Sequence, residues 1–133
     1  DFCLSRGLGD VYKRQKLHDP TENLEEEFRY FIGRGQGLTP TGDDILVGIL
    51  YGHFINSFIA QKHLETLGNL IRKPLTTLVS TRFLTCAIEG LFSSNITRLQ
   101  HDPSLKSMKS LIKVGSSSGM DTLYGIYMAL TKE

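Results

Sequence analysis

Two short segments of this chain share a pattern of hydroxyl, glycine and aspartate residues. Residues 41–49 and residues 118–126 both read hydroxyl, Gly, any residue, Asp, any residue, Leu, any residue, Gly, Ile. The likeness extends back to a hydroxyl residue two positions earlier, Thr39 in the first copy and Ser116 in the second. The sequence therefore builds one device twice, with Asp44 and Asp121 in equivalent positions.

The loops that precede these segments are rich in hydrogen-bond donors. The first has three glycines at alternate positions, and the second has three consecutive serines between two glycines. Glycine and serine before a helix N-terminus present free N–H and O–H donors with a favourable dipole, which is the usual chemistry of an anion site. We therefore predict that both loops contribute to one substrate-binding site, made of Arg34, Gly35, Gly37, Thr39, Thr41, Gly42, Ser116, Ser117, Ser118 and Gly119.

The candidates for catalysis are the carboxylates Asp43, Asp44 and Asp121. Asp43 beside a bound phosphate would cost energy unless something positive or hydrogen-donating stood between them. Two solutions are open: a Mg²⁺ ion that bridges Asp43 and phosphate, or an amide or carbamoyl NH₂ that donates to Asp43. Arg34 could complement an anionic substrate through a bidentate contact. The sequence shows no arrangement of nucleophile, base and orienting group.

The same spacing also has a purely structural interpretation. Thr41 with Asp44, and Ser118 with Asp121, have the spacing of a capping box, which stabilises a helix start by about 1 kcal/mol without any ligand. Capping does not explain the excess of glycine and serine in the two loops. Both interpretations remain open at this point.

The elements that would position the loops are predicted to be helices. Apolar residues at helical spacing before Gly33 predict a helix that ends there, and the apolar stretch from 45 to 60 predicts a buried core helix. No alternating strand pattern is present. We expect one mainly α domain over residues 17–133, with two Gly/Ser/Thr-rich loops at helix N-termini, belonging to a larger α+β protein. Further helices are predicted over residues 61–72, 74–89, 92–100, 104–113 and 120–130.

Composition excludes several classes of function. Fifteen basic side chains against 14 acidic ones, for a net charge of +1, give no electrostatic case for nucleic acid. The longest apolar stretch is shorter than the ~20 residues of a membrane span. With no signal peptide, we expect a cytoplasmic protein. Cys3 and Cys86 have no zinc-ligand spacing.

The first residues of the chain do not contribute to the predicted site. Residues 3–15 resemble an adapter read-through found at the ends of assembled translations. We expect residues 1–16 to be a non-native or disordered tail.

Residues 35–44 and residues 115–125 together resemble the AllH family, once catalogued as a domain of unknown function. The likeness covers about residues 20 to 131, and residues 77–90 are similar to the family's middle motif. Family members are longer, so the resemblance implies that this chain corresponds to the C-terminal half. One difference is Ser116, which stands where the family usually has a histidine.

The resemblance implies a subunit of an oxamate carbamoyltransferase in allantoin and purine breakdown, working with AllG-like and FdrA-like subunits. That reaction exchanges a carbamoyl group between carbamoyl phosphate and oxamate, with oxalurate and phosphate on the other side. The predicted loops suit such small anionic ligands. The alternatives are a non-catalytic helical scaffold subunit, and a related acyl- or carbamoyl-transfer protein with another substrate.

Overall fold

The computed structural model describes residues 14–102, 104–113 and 118–131, and every regular element in these ranges is a helix. The prediction of a mainly α domain is confirmed. The Gly-rich loops precede the third and the last of the described helices. In chain order the helices are α1 (Arg14–His18), α2 (Glu25–Phe31), α3 (Thr41–Ile55), α4 (Gln61–Ile71), α5 (Leu78–Ile88), α6 (Ser94–His101), α7 (Leu105–Ile112) and α8 (Ser118–Leu130).

Helix α3 forms the centre of the core. Every residue from 41 to 52 is buried, including the two acidic residues of the first turn. A helix that is apolar on all sides has no solvent face, so it must be covered by its neighbours. Here α8 and α5 pack on it. The predicted buried core helix is therefore confirmed, although it ends at Ile55 rather than near residue 60.

Helices α3 and α8 pack with their backbones in contact at Gly48 and Gly125. A Cβ atom on Gly48 would lie 2.0 Å from the carbonyl oxygen of Thr122, and one on Gly125 would lie 2.0 Å from that of Ile45. Further along, Gly52 packs in the same way on Ala129. Because the contacts advance together along both helices, the two helices run parallel and their N-termini lie at the same end.

The contacts between the two sequence repeats are reciprocal, as across a two-fold axis. The repeat extends to the preceding helix in each case. Gly42 in α3 lies against the carbonyl oxygen of Phe31 at the end of α2, and Gly119 in α8 lies against that of Leu111 in α7. A Cβ on Gly42 would lie 2.2 Å from the Phe31 oxygen, and one on Gly119 would lie 1.7 Å from the Leu111 oxygen. The chain therefore contains two equivalent helix pairs, α2–α3 and α7–α8.

The predicted start of α5 was wrong. Its first helical residue is Leu78 rather than Pro74, and Thr77 is the N-cap, with its hydroxyl accepting a hydrogen bond of 3.1 Å from the backbone N–H of Ser80. The hydroxyl of Thr77 in turn donates to the carbonyl of Leu38 in the first Gly-rich loop. The segment before α5 is thus held by a contact distant in sequence, which local pattern does not reveal.

The described part of the predicted tail is short. Residues 14–16 lie in α1, where the Arg14 guanidinium donates a hydrogen bond of 2.7 Å to the carbonyl of Ala129 and stacks on the ring of Phe58. The rest of the tail prediction, residues 1–13, lies outside the described residues.

None of the helices in the described ranges is long and apolar enough to cross a membrane.

Candidate functional site

The first Gly-rich loop, residues 33–40, is held against the segment that precedes α5. Gly33 has a φ of +81° and Gly35 one of +118°, backbone conformations that favour glycine. A Cβ on Gly33 would lie 2.2 Å from the carbonyl oxygen of Leu75, so the two segments touch through their backbones. The loop is therefore ordered by close approach and by the Thr77 contact to Leu38.

Asp43 joins the loop to this segment, and we call Gly33, Asp43 and Thr76 the Asp43 network. Asp43 is 1 % exposed. Its Oδ1 accepts a hydrogen bond of 2.9 Å from the backbone N–H of Gly33, and its Oδ2 accepts one from the Thr76 hydroxyl. Burial raises the pKa of Asp43, while the donors from Thr76, Gly33 and Ser80 oppose that rise. Both oxygens of this carboxylate are thus occupied by the chain itself.

The predicted magnesium role of Asp43 concerns the same two oxygens. Among the residues that the structure describes, no group of three or more His, Cys, Asp or Glu side chains could hold a metal ion. Magnesium needs oxygen ligands in near-octahedral geometry. A Mg²⁺ ion at Asp43 would therefore need a bound phosphate and water as further ligands, and this role stays a prediction.

The start of α3 is not the predicted capping box. The N-cap is Pro40, which has no side-chain cap, and Thr41 is the first helical residue. The backbone N–H of Gly42 donates to the carbonyl of Arg34 at 2.9 Å, while those of Asp43 and Asp44 donate to the carbonyl of Pro40 at 3.0 and 3.1 Å. Three donors of this helix start are therefore used within the chain, and Asp44 is free of a capping role.

Asp44 lies beside α8, in surroundings unlike those of Asp43. It is 6 % exposed, and the hydroxyls of Ser118 and Thr39, 3.3 Å apart, lie next to it. Its Oδ2 is enclosed and accepts no hydrogen bond from any residue that the structure describes. Asp121, the equivalent residue of the second repeat, is also buried and close enough for the two charges to interact.

Burial raises the pKa of Asp44 to about 7. Hydrogen bonds from Ser118 and Thr39 lower it, and the negative charges of Asp121 and Asp43 raise it further. A carboxyl with a pKa near neutrality can both accept and donate a proton at physiological pH. Asp44 therefore combines a pKa near neutrality with a carboxylate oxygen that lacks a donor among the described residues.

Asp44 lines a pocket of about 330 Å³ between α3, α5, α6, α7 and α8, which we call the Asp44 pocket. This volume lies in the range of small-molecule sites, which are mainly apolar with a few convergent polar groups. Polar and apolar side chains both contribute to its lining. The lining residues are Thr39, Asp44, Val47, Phe83, Ser93, Asn95, Ile96, Leu111, Ser118, Gly119 and Thr122.

The structure brings together part of the predicted substrate site. Thr39, Ser118 and Gly119 line the pocket with Asp44. Thr41 and Gly42 are buried at the start of α3, where they pack on the end of α2 and the Gly-rich loop. Ser116 and Ser117 lie outside the described residues, so their place in the site stays a prediction.

Three other predicted binding residues lie away from the pocket lining. Arg34 is exposed, and its guanidinium stacks on the Tyr30 ring at 3.9 Å from the centroid while Nε donates to the Tyr30 carbonyl. A side chain added at Gly35 would meet the backbone of Thr41. Gly37 is exposed, with open space beside it. The structure thus does not bring these residues to Asp44.

No sequence pattern indicated the pocket wall formed by α5 and α6. Phe83 lies in α5 and Asn95 in α6, and neither belongs to a recognisable motif. Thr122 occupies a variable position of the repeat, where the first copy has Ile45. These residues become part of the site only through helix packing.

The described residues define a helical domain that contains two equivalent helix pairs, with paired carboxylates where the parallel helices α3 and α8 begin. The family model described as oxamate carbamoyltransferase subunit AllH matches residues 31–130, which include both repeats. The chain belongs to this family, and the resemblance inferred from its motifs is confirmed. No solved structure matches the chain.

Proposed function

We propose that this chain is a subunit of an oxamate carbamoyltransferase-type complex and that its Asp44 pocket binds the amide end of a small carbamoyl-transfer substrate. One observation carries the assignment: the buried Asp44 carboxyl lines a pocket while its Oδ2 accepts no hydrogen bond from the described residues. An enclosed carboxylate oxygen without a donor costs free energy, which a ligand that donates hydrogen bonds would recover. Membership of the AllH family supports the class of reaction.

The chemistry of the pocket favours an amide over an anionic group at this position. An ionised carboxylate only accepts hydrogen bonds, and a primary amide offers two N–H donors. None of the described lining residues is Lys or Arg. Carbamoyl phosphate, oxamate and oxalurate each carry an NH₂ group at one end and an anionic group at the other. We assign the NH₂ end to Asp44.

The anionic end of the substrate is assigned to the start of α8. Ser118 and Gly119 line the pocket there. The predicted contributions of Ser116 and Ser117 belong to the same helix start, where hydroxyl groups and the helix dipole favour negative charge. Transfer of the carbamoyl group between phosphate and oxamate would involve AllG-like and FdrA-like partner subunits, in cytoplasmic allantoin and purine breakdown.

A second candidate function is a non-catalytic scaffold subunit. The observation that favours it is the internal use of the first loop, where Asp43 and the N–H groups of residues 42–44 all bond within the chain. A scaffold subunit would require ordered loops but no ligand at Asp44. A third candidate function is that of a related acyl- or carbamoyl-transfer protein with another substrate. A panel of amide and acyl acceptors would separate this function from the oxamate carbamoyltransferase function.

The test is oxalurate formation by a complex of the full chain with AllG-like and FdrA-like subunits. We expect Asp44→Asn to lower kcat/KM at least about tenfold, because a neutral amide replaces a charged acceptor. The control is Glu65→Gln, which removes an exposed carboxylate on α4. Full activity of an assembled Asp44→Asn complex would favour the scaffold function instead.

A further inference from the structure

We infer that Asp44 takes the proton from the attacking amide nitrogen during carbamoyl transfer and returns it in the reverse reaction. This inference rests on the proposed function and adds a chemical step at the same site. It assigns different roles to two adjacent carboxylates of one helix turn. Asp43 holds the loop, and Asp44 exchanges protons with the substrate.

The surroundings of Asp44 leave one of its two oxygens without a hydrogen-bond donor among the described residues. The neighbouring hydroxyls of Ser118 and Thr39 stabilise the carboxylate, while Oδ2 is enclosed and accepts no hydrogen bond from the described residues. A proton acceptor must lie within hydrogen-bond reach of the proton that it removes. An amide bound in the pocket that Asp44 lines would meet this requirement.

The charges around Asp44 are all negative among the described residues. The charges of Asp121 on α8 and of the adjacent Asp43 both interact with it. The pocket walls supplied by α5, α6 and α7 are uncharged, with Phe83, Asn95 and Leu111 among them. Two interacting carboxylates resist simultaneous ionisation, so the pair favours the retention of one proton.

The step balances without any further reactant. The amide nitrogen of oxamate bonds to the carbonyl carbon of carbamoyl phosphate, and the carbon–oxygen bond to the phosphate breaks with its electron pair on the departing oxygen. One proton of that nitrogen passes to Asp44, which then releases it to the phosphate or to water. In the reverse direction the protonated Asp44 donates to the nitrogen of oxalurate as the carbamoyl group returns to phosphate.

A reversible transfer needs both protonation states near neutral pH. Burial and the adjacent negative charges raise the pKa of Asp44 to about 7, which supplies them in similar amounts. The synthesis of oxalurate should therefore need the ionised form, and phosphorolysis should need the protonated form. The two directions should respond to pH in opposite ways.

The first test uses the wild-type complex, in which nothing is altered. We expect kcat for oxalurate synthesis to fall as the pH drops below about 7, and kcat for phosphorolysis to fall as the pH rises above it. This inference alone would be overturned if kcat for oxalurate synthesis did not change between pH 6 and 8 and kcat for phosphorolysis showed no opposite change. The absence of oxalurate synthesis at every pH would overturn the proposed function as well.

The second test replaces the carboxyl. Asp44→Asn should lower kcat about 10²-fold or more and abolish the pH limb, beyond any loss in binding. Asp44→Ala in the same complex should regain part of its kcat when formate is added, because a small carboxylate can occupy the space. Glu65→Gln should keep both kcat and the limb. An Asp44→Asn complex that kept the limb would overturn the inference.

Discussion

Asp43 and Asp44 are neighbours in sequence, yet they lie in two different regions of the molecule. Asp43 faces the Gly-rich loop and the segment before α5, where backbone and hydroxyl donors occupy both of its oxygens. Asp44 faces α8 and a pocket, and its Oδ2 accepts no hydrogen bond from the described residues. One aspartate thus holds the loop and the next one lines a pocket, because adjacent residues of a helix point in different directions.

The largest expected effect concerns the pH dependence of stability, which should separate the two carboxylates. The raised pKa of Asp44 means that the folded chain holds its proton more tightly than the unfolded chain. This contribution to stability is fully present below the unfolded pKa near 4 and is lost as the pH rises through about 7. Over that range Asp44 should lower the free energy of unfolding by up to about 4 kcal/mol.

The measurement is denaturant unfolding between pH 4 and pH 7.5 for the wild type and Asp44→Asn. The variant should lose less stability than the wild type across this range. Asp43, whose pKa is also raised, acts in the same direction in both proteins, so the difference between the two curves isolates Asp44. Parallel curves would show that Asp44 titrates at its ordinary value.

The next largest expected effect concerns the packing of α3 on α8, which positions both aspartates. Gly48→Ala would put a Cβ 2.0 Å from a backbone oxygen of α8, where no flexible side chain can move aside. We expect a loss of about 3 kcal/mol in the free energy of unfolding. Gly68→Ala is the matched control, since nothing lies within 4 Å of its added Cβ, and it should gain about 0.5 kcal/mol. Equal stabilities would contradict the close packing of α3 on α8.

A smaller loss should follow from breaking the Asp43 network alone. Asp43→Ala leaves the Gly33 N–H and the Thr76 hydroxyl without their acceptor, and we expect a loss of about 2 kcal/mol in thermal or denaturant unfolding. Thr76→Ser keeps the hydroxyl and should cost much less. If Asp43→Ala were as stable as the wild type, the network would not order the loop.

The smallest expected effect concerns Arg34, which the sequence suggested as an anion contact. Because its guanidinium stacks on Tyr30 at the surface, Arg34→Ala should change the KM for oxamate less than about twofold in the assembled complex. A large rise in KM, with normal stability, would instead place this side chain at the substrate.

Much of this architecture was predictable because its signals are local. Helical periodicity located the buried α3, and the repeated motif located the starts of α3 and α8. The repeat also indicated that Asp44 and Asp121 were equivalent, and the structure places them close together. Such features depend on residues a few positions apart, so a single sequence contains them.

The roles of the two adjacent carboxylates were not predictable in the same way. The sequence offered Asp43, Asp44 and Asp121 as candidates for catalysis, with an amide or Mg²⁺ contact considered for Asp43, and it did not indicate that Asp43 accepts from Gly33 and Thr76. Thr76 lies 33 positions further along the chain, in a segment that the pattern predicted as helix. Contacts of this range depend on how helices pack, and the same holds for the pocket wall at Phe83 and Asn95.

The most direct test of the account is the affinity of the assembled complex for oxalurate, measured by calorimetric titration. Asp44→Asn should weaken binding about tenfold or more, Asp43→Asn should weaken it far less at equal folded fraction, and Glu65→Gln should leave it unchanged. That order would place the substrate amide at Asp44. Equal losses for Asp43→Asn and Asp44→Asn, or unchanged binding in both, would contradict the assignment of the pocket.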